Sequence, residues 1–120
     1  MVAPTLSSLT DHVWDNNVAI YTWTALASAS SGAAISGPGW TDRSIQFTGT
    51  FGGAQAVLEG SNDGVTYFTL HDPFANPLTF ASAALAAVTE ITLFIRPRIA
   101  SGDGTTNITA VLVCGSHNPN

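Results

Sequence analysis

The sequence predicts an all-β fold, an antiparallel β-sandwich of jelly-roll type in a single domain, and three observations carry that expectation. Short runs of β-branched and aromatic residues recur along the 120-residue chain, separated by turn punctuation of Gly, Pro, Asn and Asp. Several of these runs alternate apolar and polar residues with the period of two that a half-buried strand requires. Hydrophobic residues make up 45% of the chain, enough for one core that needs no disulfide or metal to hold it.

Residues 1–16 are polar, contain Pro4, and read as an N-terminal arm; 17–115 read as the sandwich domain and 116–120 as a polar tail. The run 18–26, VAIYTWTAL, is strongly strand-prone. Strict alternation places Val18, Ile20, Thr22, Thr24 and Leu26 on one face and Ala19, Tyr21, Trp23 and Ala25 on the other. Both faces are largely apolar, as in a strand covered on two sides, by the core and by a neighbouring chain.

Residues 28–42 are small and rich in Gly and Ser, and read as a long loop. From Arg43 to Phe51 the pattern alternates, with Ile45, Phe47, Gly49 and Phe51 facing inward. Gly52-Gly53 has the composition of a primed hairpin turn, and 54–61 reads as the return strand. Asn62-Asp63-Gly64 marks another tight turn into Val65–Leu70, so that three consecutive strands are expected to form a meander. In 71–90, Pro73 and Pro77 oppose regular structure, and FASAALAAV fits either a short helix capped by Ser82 or a loop that touches down once as a strand. Residues 91–100 and 107–114 flank SGDGTT, a further hairpin signal, and Pro97 implies a sheet edge or a bulge.

Charged residues are 9% of the chain, there is no lysine, and the net charge is -5. Nucleic acid is not an expected partner, because counterion release needs a basic stripe. Each apolar run is broken by Ser, Thr, Gly or Pro before reaching membrane-spanning length, so no membrane association is expected. A surface so poor in charge favours assembly with other subunits. Cys114 lies in the apolar run ITAVLVC and reads as an inert buried thiol. The first residues show no secretory signal, which points to synthesis in the cytoplasm and makes Asn107-Ile108-Thr109 a chance glycosylation pattern.

Catalytic constellations are missing from the sequence. There is no GxSxG, no HExxH, no phosphate-binding glycine loop and no paired cysteine, and His12, His71 and His117 have no evident catalytic partners. The chain is therefore expected to be no enzyme and to need no cofactor or metal. Asp63 and Asp103 each sit in a Gly-containing turn, but one carboxylate per turn is too few for calcium. Turn chemistry explains them better. Phe47, Phe51, Phe68 and Phe94 fall at alternating strand positions and are expected in the core. Trp14, Tyr21, Trp23 and Trp40 are candidates for a partner interface, where aromatic residues are enriched. Arg96 and Arg98 share one strand face and are expected to pair with Glu59 or Glu90.

The ordered set GTFGGAQAVLEGSNDGVTYFTLHDP, NPLTFASAALAAVTE and FIRPRIASGDGTTNITAVLV, within residues 43–114, resembles small virion proteins of tailed bacteriophages. The resemblance implies a structural protein, a capsid decoration or cement protein at the virion surface. It implies the major capsid protein as partner and a homo-oligomer, with a trimer favoured. VLEGSNDGVTYFTL also resembles a hairpin of discoidin-type carbohydrate-binding sandwiches. This implies the alternative, a carbohydrate- or receptor-binding module of a phage tail or fibre.

Overall fold

A computed structural model describes residues 18–36 and 42–115 in full and residues 8–15 by their backbone. The chain is all-β: β1 (Ser8–Asp15), β2 (Val18–Leu26), β3 (Ile35–Ser36), β4 (Asp42–Thr50), β5 (Gln55–Ser61), β6 (Phe68–Thr69), β7 (Thr79–Phe80), β8 (Ala84–Val88), β9 (Phe94–Ala100) and β10 (Asn107–Gly115). Two antiparallel sheets stack, one in the order β1-β2-β10-β4-β8 and the other β3-β9-β5-β6, with β7 also on β5.

The pairing is that of one long hairpin rolled up. β5 pairs with β6 and β7, β4 with β8, β3 with β9 and β2 with β10, so partners lie progressively further apart along the chain. This nesting is the jelly roll, and the β5–β6 hairpin is its tip. The hairpin expected at 57–70 is therefore present, although its loop spans 62–67 and exceeds a two-residue turn. The meander is corrected. β4 and β5 belong to different sheets, and Gly52-Gly53 is a corner between them. Both glycines have positive φ (56° and 81°), and Ala54 N–H closes the turn on the Phe51 carbonyl at 2.9 Å. SGDGTT is likewise a corner, from β9 to β10, and no hairpin. The two corners meet where Thr106 Oγ1 donates to the Phe51 carbonyl at 2.9 Å.

The N-terminal arm is corrected in part, since residues 8–15 form β1 and pair with β2. Of the two readings of FASAALAAV the strand prevails: β8 pairs with β4 over Arg43↔Val88 to Phe47↔Ala84, and ladder bonds outweigh the helical preference of alanine. Pro97 lies in β9, between β3 and β5. Its carbonyl accepts from Gly32 N–H at 2.9 Å, so its missing N–H points to the same outer side, where β3 has only two residues.

The core lies between the sheets. Ala19, Tyr21 and Trp23 of β2 meet Ile45 and Phe47 of β4, Leu58 of β5, Ile95 and Ile99 of β9 and Ile108, Ala110 and Leu112 of β10. Alternation holds along β2 as far as Trp23 and then breaks. Trp23 is opposite Ala110 and Leu26 opposite Ile108, so Thr24 and Ala25 together oppose Thr109. Ala25 takes φ 57°, the bulge turns the strand, and Leu26 becomes fully buried on the side of Trp23. Phe47 is buried and Phe51 packs against the core, as expected, whereas Phe94 is only partly buried. Phe68 is corrected: it is 68% exposed.

Candidate functional site

The tip of the rolled hairpin carries the feature most unlike the rest of the surface. The Asn62–Tyr67 loop is anchored by Ser61, the last residue of β5, whose Oγ accepts from the Asp63 and Gly64 N–H groups at 3.2 and 2.9 Å. Asp63 Oδ1 accepts from Val65 N–H at 2.8 Å, Thr66 N–H at 2.9 Å and Ser61 Oγ at 2.8 Å. The Thr66 and Val65 amides, with the Ser61 hydroxyl, hold the Asp63 carboxyl down at about 2. The loop leans on the β8–β9 connection, where Asn62 Oδ1 accepts from Leu93 N–H at 3.1 Å.

Next to it, His71 Nδ1 lies 2.6 Å from Glu90 Oε2, and His71 N–H donates to Glu90 Oε1 at 2.7 Å. Burial pushes the Glu90 carboxyl up, but these hydrogen bonds outweigh it and leave the group below its ordinary value. Asp72 closes the following turn by accepting from Asn76 N–H and Phe74 N–H, both at 2.9 Å, and its carboxyl is also lowered, chiefly by the Asn76 amide.

Between these loops lies an open groove of about 450 Å³, lined among others by Asn62, Asp63, Phe68, His71, Glu90 and Thr92. The chain segments that supply its lining also carry exposed apolar residues. Among the described residues six large apolar side chains are exposed, and five of them are Val65, Phe68, Phe74, Ile91 and Leu93. Phe68 lines the groove, Val65, Ile91 and Leu93 each adjoin a lining residue, and Phe74 is three positions from His71. Exposed apolar side chains that lie together mark a contact surface, and here one lines the groove while four belong to the segments that supply or adjoin its lining. The groove thus offers an exposed aromatic ring, Phe68, with the carboxylates of Asp63 and Glu90 in the same lining.

The interface expected at the aromatic residues is corrected where the structure describes it. Trp23 is fully buried, with Nε1–H donating to the Ala33 carbonyl at 2.8 Å, and Tyr21 is 9% exposed. Both face inward because β2 turns that side to the core. Trp14 lies in β1, described by backbone alone, and Trp40 lies outside the described residues. These exposed residues were missed in the sequence because Phe68, Ile91 and Leu93 occur in strand-like runs. Nothing local distinguishes a core position from an exposed one when the strand has only two residues, as β6 does.

Arg96 and Arg98 pair as expected, and both choose Glu59: Nε to carboxylate distances are 2.6 and 2.9 Å. The guanidinium of Arg96 also stacks on Tyr67, 3.8 Å from the ring centroid. Asp103 Oδ1 accepts from the Thr105 hydroxyl at 2.6 Å and the Thr105 N–H at 2.8 Å, so its carboxylate, like that of Asp63, is engaged in its own turn. Among the described residues no cluster of three or more His, Cys, Asp or Glu could hold a metal ion. Cys114 is 1% exposed, and burial drives its thiol up to about 11 against the opposing effect of Arg43.

No protein-family model matches this chain, and no curated protein does. Among solved structures, the chain is similar to the SPBc2 prophage-derived protein YomS, with a TM-score of 0.64 and 11% identity over 88% of this chain and 100% of that one. A cupin domain from Bordetella pertussis superposes with a TM-score of 0.50 and 9% identity, over 92% of this chain and 93% of the other. At these identities the likeness establishes a shared β-sandwich fold, on which many different sites are built.

Proposed function

We propose that this chain is a structural protein of a tailed-phage particle, a capsid decoration or cement protein that binds the major capsid protein through the exposed apolar residues at the hairpin tip. The observation that carries the reading is exposed Phe68 in the groove, with four further exposed apolar residues, Val65, Phe74, Ile91 and Leu93, in the chain segments that supply or adjoin its lining. It is supported by the sequence resemblance to small phage virion proteins, by a fold shared with a prophage-derived protein, and by a surface sparse in charge. Burying an apolar side chain of this size contributes roughly 1.5–3 kcal/mol before the costs of association are subtracted. A modest net contact, repeated by the symmetry of a shell, stabilises the whole particle. The protein acts by adding buried area at subunit junctions and carries out no reaction.

The test is addition of purified protein to shells lacking it. Wild type is expected to sediment with the shells and raise their rupture temperature, while Phe68→Ser/Phe74→Ser stays in the supernatant with its circular dichroism unchanged. Absence of the protein from the shell surface in electron microscopy of the source particle, or unchanged binding by the double variant, overturns the reading.

One observation favours a second reading, a carbohydrate- or receptor-binding module. Phe68 stands in the groove beside Asn62, Asp63, His71 and Glu90, an aromatic surface among hydrogen-bonding groups. Binding on a glycan array that is lost in Phe68→Ser would select it over the decoration role.

A further inference from the structure

We infer that copies of this chain associate through the outer face of the first sheet, the face opposite the core. Ala19, Tyr21 and Trp23, Ile45 and Phe47, and Ala110 and Leu112 point inward. Alternation therefore turns Val18 and Ile20 of β2, Val111 and Val113 of β10, Gln46 of β4 and Leu85 of β8 outward. The register brings them into one surface: Val111 is opposite Gln46, Gln46 opposite Leu85, and Val113 opposite Ile20. Threonines, Ser44, Ala87, Asn107, Gly115 and Asp42 fill the remaining positions of these four strands.

The chain has three basic and eight acidic residues, yet across β2, β10, β4 and β8 the described outer face carries only Asp42, at the first position of β4. That distribution selects the occupant. Two copies of a chain with net charge -5 repel where their carboxylates face one another, and here they can meet with the charge left at the margin. A strongly charged partner would find no counterpart, whereas a second copy presents the same valines and threonines. Strands about 4.8 Å apart and residues about 3.4 Å apart give the four strands β2, β10, β4 and β8, of nine, nine, nine and five residues, a face of roughly 520 Å². A pair would bury about 1,000 Å², at the lower end of specific interfaces.

This surface is distinct from the hairpin tip, so its test involves no shell. In sedimentation equilibrium at high micromolar concentration, wild type is expected at a multiple of its 12.4 kDa chain mass. Gln46→Glu/Leu85→Glu is expected at the mass of one chain with its folded circular dichroism kept and its melting temperature slightly lower, because the two exposed positions lie directly opposite across β4 and β8 and like charges there repel. If Leu85→Glu disturbs β8, the isosteric Gln46→Glu alone serves, with association weakened by roughly tenfold or more through like-charge juxtaposition. Phe68→Ser/Phe74→Ser should keep the wild-type mass. A single-chain mass for wild type, a multiple retained by both charge variants, or dissociation by the tip variant overturns the inference.

Discussion

Arg96 Nε stands 2.6 Å from Glu59 Oε2 across β9 and β5, on a carboxylate whose side chain is only 6% exposed. Arg98 takes the other oxygen at 2.9 Å. Two partly solvated guanidiniums thus share one buried carboxylate, and the loss is asymmetric when one partner is removed. Glu59→Ala leaves the arginines able to turn to water but empties a packed site between them. The expected cost is about 1–3 kcal/mol, below that of breaking a fully buried pair, and a melting temperature lower by about 5–10 °C. Thermal unfolding followed by circular dichroism reads it, and an unchanged melting temperature would show the cluster to be a surface ornament.

Gly32 lies where a β-carbon would meet Trp23 Cδ1 at 2.5 Å and Pro97 Cγ at 2.9 Å. Neither can give way easily, since the indole is buried and tethered to the Ala33 carbonyl. Gly32→Ala is expected to destabilise by about 1–3 kcal/mol through overpacking. Gly53→Asn, at a position with nothing within 4 Å and a φ that asparagine tolerates, should cost less than about 1 kcal/mol. Urea midpoints of the two variants measured side by side check the contrast.

Asp63 predicts the acid limb of stability. Its folded value of about 2 lies below the ordinary 3.8, so its stabilisation is present above pH 3.8 and is lost as pH falls towards 2. Asp63→Asn retains an acceptor for the loop amides but cannot titrate. Its urea midpoint should fall less steeply than that of wild type between pH 4 and pH 2. Parallel slopes would assign the acid sensitivity to other carboxyls.

Cys114 predicts the alkaline limb. Its folded value near 11 exceeds the ordinary 9.0, so the unfolded thiol ionises first and stability declines as pH rises from 9 towards 11. Cys114→Ala should flatten that decline while lowering stability at neutral pH through the cavity it leaves. At pH 8 the native thiol is expected to resist a thiol-specific reagent until denaturant is added. Rapid native labelling would contradict its placement.

Much of the local structure was legible in the residues. Ile45 and Phe47 alternate with Ser44 and Gln46, and burial follows that alternation. That Arg96 and Arg98 would pair with an acid followed from their shared strand face, which left Glu59 and Glu90 both open; the structure chose Glu59. Less legible was whether a turn joins neighbours in one sheet or crosses between sheets. Gly52-Gly53 and SGDGTT have hairpin chemistry and act as corners, because a turn signal describes a reversal and carries no information about which strand will be paired next. Leu26 was placed on the wrong face for a similar reason. The bulge at Ala25 is imposed by pairing with β10, more than 80 residues away. The candidate site was the least legible part: Trp23, the most conspicuous aromatic, is core, and Phe68, which reads as core, is exposed.

By itself, the sequence determined the class of fold, the positions of its turns and the absence of recognisable catalytic motifs, because strand period and turn chemistry act over a few residues. The tertiary structure decided the rest. It rolled the strands into nested pairs, placed the 57–70 hairpin at the tip of the roll, and left Val65, Phe68, Phe74, Ile91 and Leu93 exposed, with Phe68 in a groove. Exposure depends on what packs from elsewhere in the chain, and no local pattern encodes that.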